Sequence, residues 1–243
     1  MSRTFTLQGN SSLLSESIYP NIDLGEVDNY CIGLIGLHTY NSIPNIDEGC
    51  NKFYYKEKTD NILKCIVIPT GSYEISDIEK YIDTELRKGI TDVKPNKVEK
   101  LLSLKPNNNT LKCEIFSEKY EINFKPMDSI ATLLGFSHKT LSVNQNHESD
   151  LPVSIAKVHT IRIHCNIVQG AFYNGKESHT LYEFAVSVDP GYAINIEPQH
   201  IIYLPVNAST ISNITVKILD QNSEFVNFRS EKIIVRLELK KCQ

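Results

Sequence analysis

With 243 residues, 41% of them hydrophobic and 22% charged, the chain has the composition of a globular protein with material for a sizeable core. Its 25 Lys and Arg against 29 Asp and Glu give a formal net charge of −4, and the cations are dispersed, which excludes a protein built to neutralise nucleic-acid phosphates. No segment reaches the roughly 20 apolar residues of a membrane span, and the first residues carry no apolar signal segment, so a cytosolic or nuclear chain with no membrane partner is expected.

Residues 1–25 hold one short alternation, Phe5 and Leu7, then a Ser-rich stretch and Tyr19-Pro20. They read as an N-terminal arm with at most one edge strand. Its apolar periodicity is too sparse for its own domain to hold it, which makes Phe5 and Leu7 the candidate residues for reaching a neighbouring molecule. Residues 30–37 are the most apolar run of the first half, and Gly33 and Gly36 within it favour a buried strand that another backbone approaches closely. An extended piece at Phe53-Tyr54-Tyr55 and a strand over 63–69, stopped by Pro69 and Gly71, come next.

The spacing then predicts a helix over 76–88. Ile75, Ile78, Ile82 and Leu86 form a stripe at helical period, Ser76 and Glu79 have capping-box spacing, Arg87 and Lys88 complement the dipole, and Gly89 closes the end. That stripe is read as the face that packs on a sheet. Residues 98–104 fit a short helix or a strand equally. A turn at 107–110 joins them to strands over 111–115 and 120–124, and Asp128 is placed to cap a short helix over 129–134 ended by Gly135. Residues 137–150 are polar without periodicity and read as a surface loop within one domain.

From residue 158 onward strand signals follow one another. Ile161, Ile163, Cys165 and Ile167 alternate with Arg162, His164 and Asn166, which is the period of a half-buried strand with the polar set outward. Runs at 181–186, 201–204, 215–218 and 235–240 repeat the theme, and Phe172-Tyr173-Asn174-Gly175 has the chemistry of a hairpin turn. So many short strands predict an antiparallel sandwich or barrel. The division expected is an arm over residues 1–25 and one all-β domain over 26–243.

Spacing argues against catalysis. There is no glycine-rich phosphate loop, nucleophile elbow or paired-histidine zinc motif. His164 and Cys165 are strand neighbours on opposite faces, and His159 and His164 also fall on opposite faces. The sequence therefore predicts no enzyme, no cofactor and no metal site. Cys31, Cys65, Cys113 and Cys165 lie in apolar runs and are expected to be reduced and buried.

Four stretches carry a further signal: residues 68–82, residues 129–136, residues 149–153 leading into the strand at 158, and residues 202–207 with 220–222 and 227–229. Together they resemble the minor capsid or penton proteins of Maverick/Polinton elements and related adintoviruses, over nearly the whole chain from about Phe5. The resemblance implies a single jelly-roll β-sandwich with one or two short helices. It also implies a homopentamer at the vertices of an icosahedral particle, seated among double-jelly-roll major capsid proteins, and a place in the virion after assembly in the nucleus or cytoplasm. A non-enzymatic attachment or ligand-binding sandwich is the competing reading. Its loop aromatics would be Phe172 and Tyr173.

Overall fold

The computed structural model describes residues 2–25, 29–58, 62–88 and 100–242. The chain divides into two compact units, one made of Met1–Ile43 with Val158–Gln243 and the other of Pro44–Lys157. The limits of these units differ from the expected division after residue 25, and the polar stretch at 137–150 lies within the second unit. The first unit opens with β1 (Ser2–Gly9), β2 (Leu13–Asp23) and β3 (Tyr30–Tyr40). The inserted unit carries β4 (Lys52–Glu57), β5 (Leu63–Val67), α1 (Ile75–Lys88), β6 (Leu102–Asn107), β7 (Lys112–Ser117), β8 (Tyr120–Asn123), β9 (Thr140–Leu141) and β10 (Asn146–Glu148). The chain returns with β11 (Thr160–Cys165), β12 (Ala171–Tyr173), β13 (Lys176–Ser178) and β14 (Thr180–Ala185). It ends with β15 (Ala193–Ile196), β16 (Tyr203–Pro205), β17 (Thr210–Asp220) and β18 (Ile233–Lys241).

Two antiparallel sheets build the first unit, one ordered β1-β18-β3-β15 with β16 also on β3, the other β14-β11-β17-β2. The chain changes sheet between β1 and β2, β2 and β3, β14 and β15, β16 and β17, and β17 and β18, so each sheet interleaves strands from both ends of the sequence. That is a single jelly roll, with the second unit inserted between β3 and β11. Period-2 alternation sends Ile161, Ile163 and Cys165 of β11, Val216 and Ile218 of β17, and Val235, Leu237 and Leu239 of β18 into one buried core. Close approach is required at Gly33 but not at Gly36. A Cβ on Gly33 would stand 2.5 Å from Ile201 and 3.0 Å from the Ile202 carbonyl, whereas the nearest atom at Gly36 is 3.8 Å away.

The first 25 residues are not an arm. β1 pairs with β18 along its whole length, Phe5 opposite Leu237 and Leu7 opposite Val235, and β2 pairs with β17. Leu7 and Leu14 are buried in the jelly-roll core and Phe5 packs against it. The alternation looked sparse because β2 breaks register between Ile211 and Asn213 of its partner, which interrupts the period.

The inserted unit has its own core, built around Phe53, Ile68, Ile115, Phe124 and Leu134. Its sheets are β5-β4-β8-β9 and β10-β7-β6. The helix stripe Ile75, Ile78, Ile82 and Leu86 is buried as its spacing requires, but the cap lies two residues earlier. The Asp77 carboxylate accepts from the Glu74 backbone N–H at 3.2 Å. Glu79 is used differently: it accepts from the Leu104 N–H at 3.0 Å and pairs with Lys100, which fastens the helix to β6. Gly89 and residues 98–99 lie outside the described residues. Residues 129–134 form turns rather than a helix, and Asp128 is held by Lys52 at 2.8 Å and by the Tyr54 hydroxyl at 3.1 Å. Within the expected loop at 137–150, β9 pairs with β8 and β10 with β7.

Candidate assembly surface

Strand direction decides what gathers at each end of the jelly roll. Gly9 faces Ile233, Leu13 faces Lys217, Tyr40 faces Ala193, and Thr160 faces Ala185. The β1–β2 turn, the end of β3, the β14–β15 loop and the β17–β18 loop therefore share one end. Four large side chains stand in water there: Leu13 is 47% exposed, Tyr40 54%, Tyr192 66% and Phe225 53%. Scattered surface apolars are ordinary, but four at one end make that end the candidate for contact with another molecule. Beside it runs a groove of about 460 Å³ lined by residues 10–13 and by Phe225, Val226 and Phe228. Hydrogen bonds fix the loops at this end. Asn41 N–H donates to the Tyr192 carbonyl at 2.8 Å, Leu219 and Phe225 form an isolated bridge, and the buried Ser12 hydroxyl donates to the Val226 carbonyl. Phe5 and Leu7, the candidates from the sequence, belong to the core and not to this surface. Sequence periodicity missed the patch because its residues sit at strand ends and in loops, where no alternation exists to mark them.

On the outer face of the second sheet the expected exposure of Arg162 is overturned, since it is 1% exposed. The β12–β13 hairpin supplies the cover. Asn174 and Gly175 both have positive φ, 50° and 76°, as a two-residue type I′ turn requires. The Tyr173 ring lies 4.0 Å from the Arg162 guanidinium and its hydroxyl donates to the Gln221 carbonyl at 3.2 Å. Arg162 donates to the Asp220 carbonyl from Nε at 3.1 Å and Nη2 at 2.7 Å, and to the Ser223 hydroxyl at 3.0 Å. Tyr173 is thus committed to the fold, leaving only Phe172, 71% exposed, of the two loop aromatics.

His164 and Cys165 point to opposite sides, as strand geometry demands. The His164 ring is 3.0 Å from the Thr180 hydroxyl, and burial, followed by the charge of Arg162, pushes its pKa down to about 4. Cys165 is fully buried in the core, and burial pushes its thiol up to about 11. Cys31 and Cys113 are also buried, but Cys65 is exposed. In the unbroken apolar run 65–68 the face is set by Ile66 and Ile68, which are buried and leave Cys65 outward. Among the described residues no group of three or more His, Cys, Asp or Glu could hold a metal ion. No described helix is long and apolar enough to cross a membrane.

No protein-family model matches the chain, and no curated protein sequence matches it. Among solved structures its fold is similar to that of the mavirus penton protein, with 12% sequence identity, a TM-score of 0.50, and coverage of 100% of this chain and 99% of that one. A chain in the cryo-EM structure of the Sputnik virophage is 11% identical with a TM-score of 0.46, over 99% of this chain and 98% of that one.

Proposed function

We propose that this chain is a structural capsid protein occupying the fivefold vertices of an icosahedral particle, encoded by a Maverick/Polinton-type element or a related virus. The observation that carries the reading is the likeness of fold to a penton protein over the full length of both chains, inserted unit included. A ring of five requires head-to-tail contacts, which use two different patches on each subunit. In this reading the exposed end with Leu13, Tyr40, Tyr192 and Phe225 is one contact patch, taking the role that the sequence assigned to Phe5 and Leu7. The partners are then four further copies and a double-jelly-roll major capsid protein. The location is the virion, and the role is non-enzymatic.

Co-expression with the major capsid protein of the same element tests this by cryo-electron microscopy of the purified particles. The expected result is density for the chain at the fivefold axes, lost when Tyr192 and Phe225 are both changed to Ser. Particles with empty vertices and the chain left in the soluble fraction would contradict it.

A further inference from the structure

Two thiols far apart in sequence meet at one end of the first sheet. In the β18–β3 register Lys240 faces Cys31 and Lys241 faces Tyr30, and the Cys242 N–H continues the ladder by donating to the Asn29 carbonyl at 2.9 Å. Cys242 thus stands diagonally across from Cys31, and alternation puts both side chains on the same face. The Cys242 thiol is near enough to raise the pKa of the Cys31 thiol. The two differ in access, Cys31 being 5% exposed and Cys242 open to solvent. Cys242 also follows the last residue of β18, so only the terminal hydrogen bond to the Asn29 carbonyl has to yield as its backbone closes the remaining separation. A buried thiol diagonally beside an exposed one, on the same face of a strand pair, can be bridged by a disulfide once the two backbones approach.

We infer that Cys31 and Cys242 are a latent disulfide pair, closed by a small-molecule disulfide and tying the end of β18 to β3. The exposed Cys242 thiolate attacks one sulfur of the oxidant, forming a mixed disulfide and expelling one small thiolate. The Cys31 thiolate then attacks the Cys242 sulfur, forming the protein disulfide and expelling the second small thiolate. Two protein thiols are oxidised, one small disulfide is reduced to two thiols, and the two protons released by the protein pass to them. The second step is the slow one. Burial, and next the nearby Cys242 thiol, push the Cys31 thiol up to about 11, with Lys240 pulling the other way. Closure therefore quickens as pH rises toward that value. The inference stands apart from the capsid reading, although a protein assembled in a reducing cell and released from it would meet such an oxidant.

The test is incubation of the full-length protein with oxidised glutathione at pH 8.5, followed by non-reducing peptide mass mapping and a thermal melt. The expected result is a Cys31–Cys242 linked peptide within one chain. The linkage closes a loop of nearly the whole sequence, so Tm should rise by about 10 °C. The Cys242→Ser variant, altered only at an exposed position, should show neither the peptide nor the rise. Exposed Cys65 serves as the internal control that keeps its glutathione adduct. A glutathione adduct persisting on Cys242 while Cys31 stays alkylatable after denaturation would overturn the inference, as would linkage of Cys242 only to another chain.

Discussion

Removal of residues 2–17 is expected to abolish the cooperative melt of the jelly roll. The truncation deletes all of β1 and the first part of β2, exposes the edge of β18 that β1 covers, and takes Leu7 and Leu14 out of the core. An unpaired strand edge invites association with other chains, so the truncated protein should aggregate or bind a hydrophobic dye. The point substitution Leu7→Ala, which leaves the ladder intact, should cost about 2 to 5 kcal/mol as a buried large-to-small change. Circular dichroism on the truncated chain decides the matter. A sharp transition at the Tm of the intact protein would show that the first strands are dispensable.

Neighbouring positions on β11 give the second large effect. Ile163→Ala should cost about 2 to 5 kcal/mol through the cavity it leaves in the core. Arg162→Ala should fall in a similar range, about 2 to 4 kcal/mol, although Arg162 points away from that core. It removes two of the donors to the Asp220 carbonyl, which keeps only the Ser223 N–H, and the cation beneath the Tyr173 ring, and it uncovers the hairpin that rests there. Arg162→Lys keeps the charge but not the planar fork, and should lie between wild type and Ala. Urea midpoints at constant slope measure all three. A cost at Arg162→Ala within about 0.5 kcal/mol of zero, the size of an ordinary surface change, would mean that the hairpin does not cover this side chain in solution.

These two expectations also mark where the sequence is readable. Helix α1 and the inward faces of β11, β17 and β18 show in local periodicity, because each buried stripe lies within a dozen residues of chain. The inserted unit does not. That it is an insertion depends on β3 pairing with β18, residues about two hundred positions apart, and such a pairing leaves no local mark. For the same reason Phe5 and Leu7 looked unsupported, their partners Leu237 and Val235 lying at the opposite end of the sequence. Arg162 looked solvent-facing because alternation reports only which side of a sheet a residue takes, and cannot reveal that a hairpin covers that side. Cys65 was misplaced because an unbroken apolar run carries no phase. The candidate surface at Leu13, Tyr40, Tyr192 and Phe225 was illegible for a related reason, since it is assembled from four separate strand ends.

The reading of this chain as a vertex protein turns on whether its subunits close into a ring of five. Sedimentation equilibrium of the purified protein, over concentrations up to the highest at which it stays soluble, measures this directly. The expected result is a species with the mass of five 27.6 kDa subunits, shifting toward monomer when Tyr192 and Phe225 are both changed to Ser. A wild-type protein that remains monomeric across the whole range, or that closes as a dimer or trimer, would contradict it.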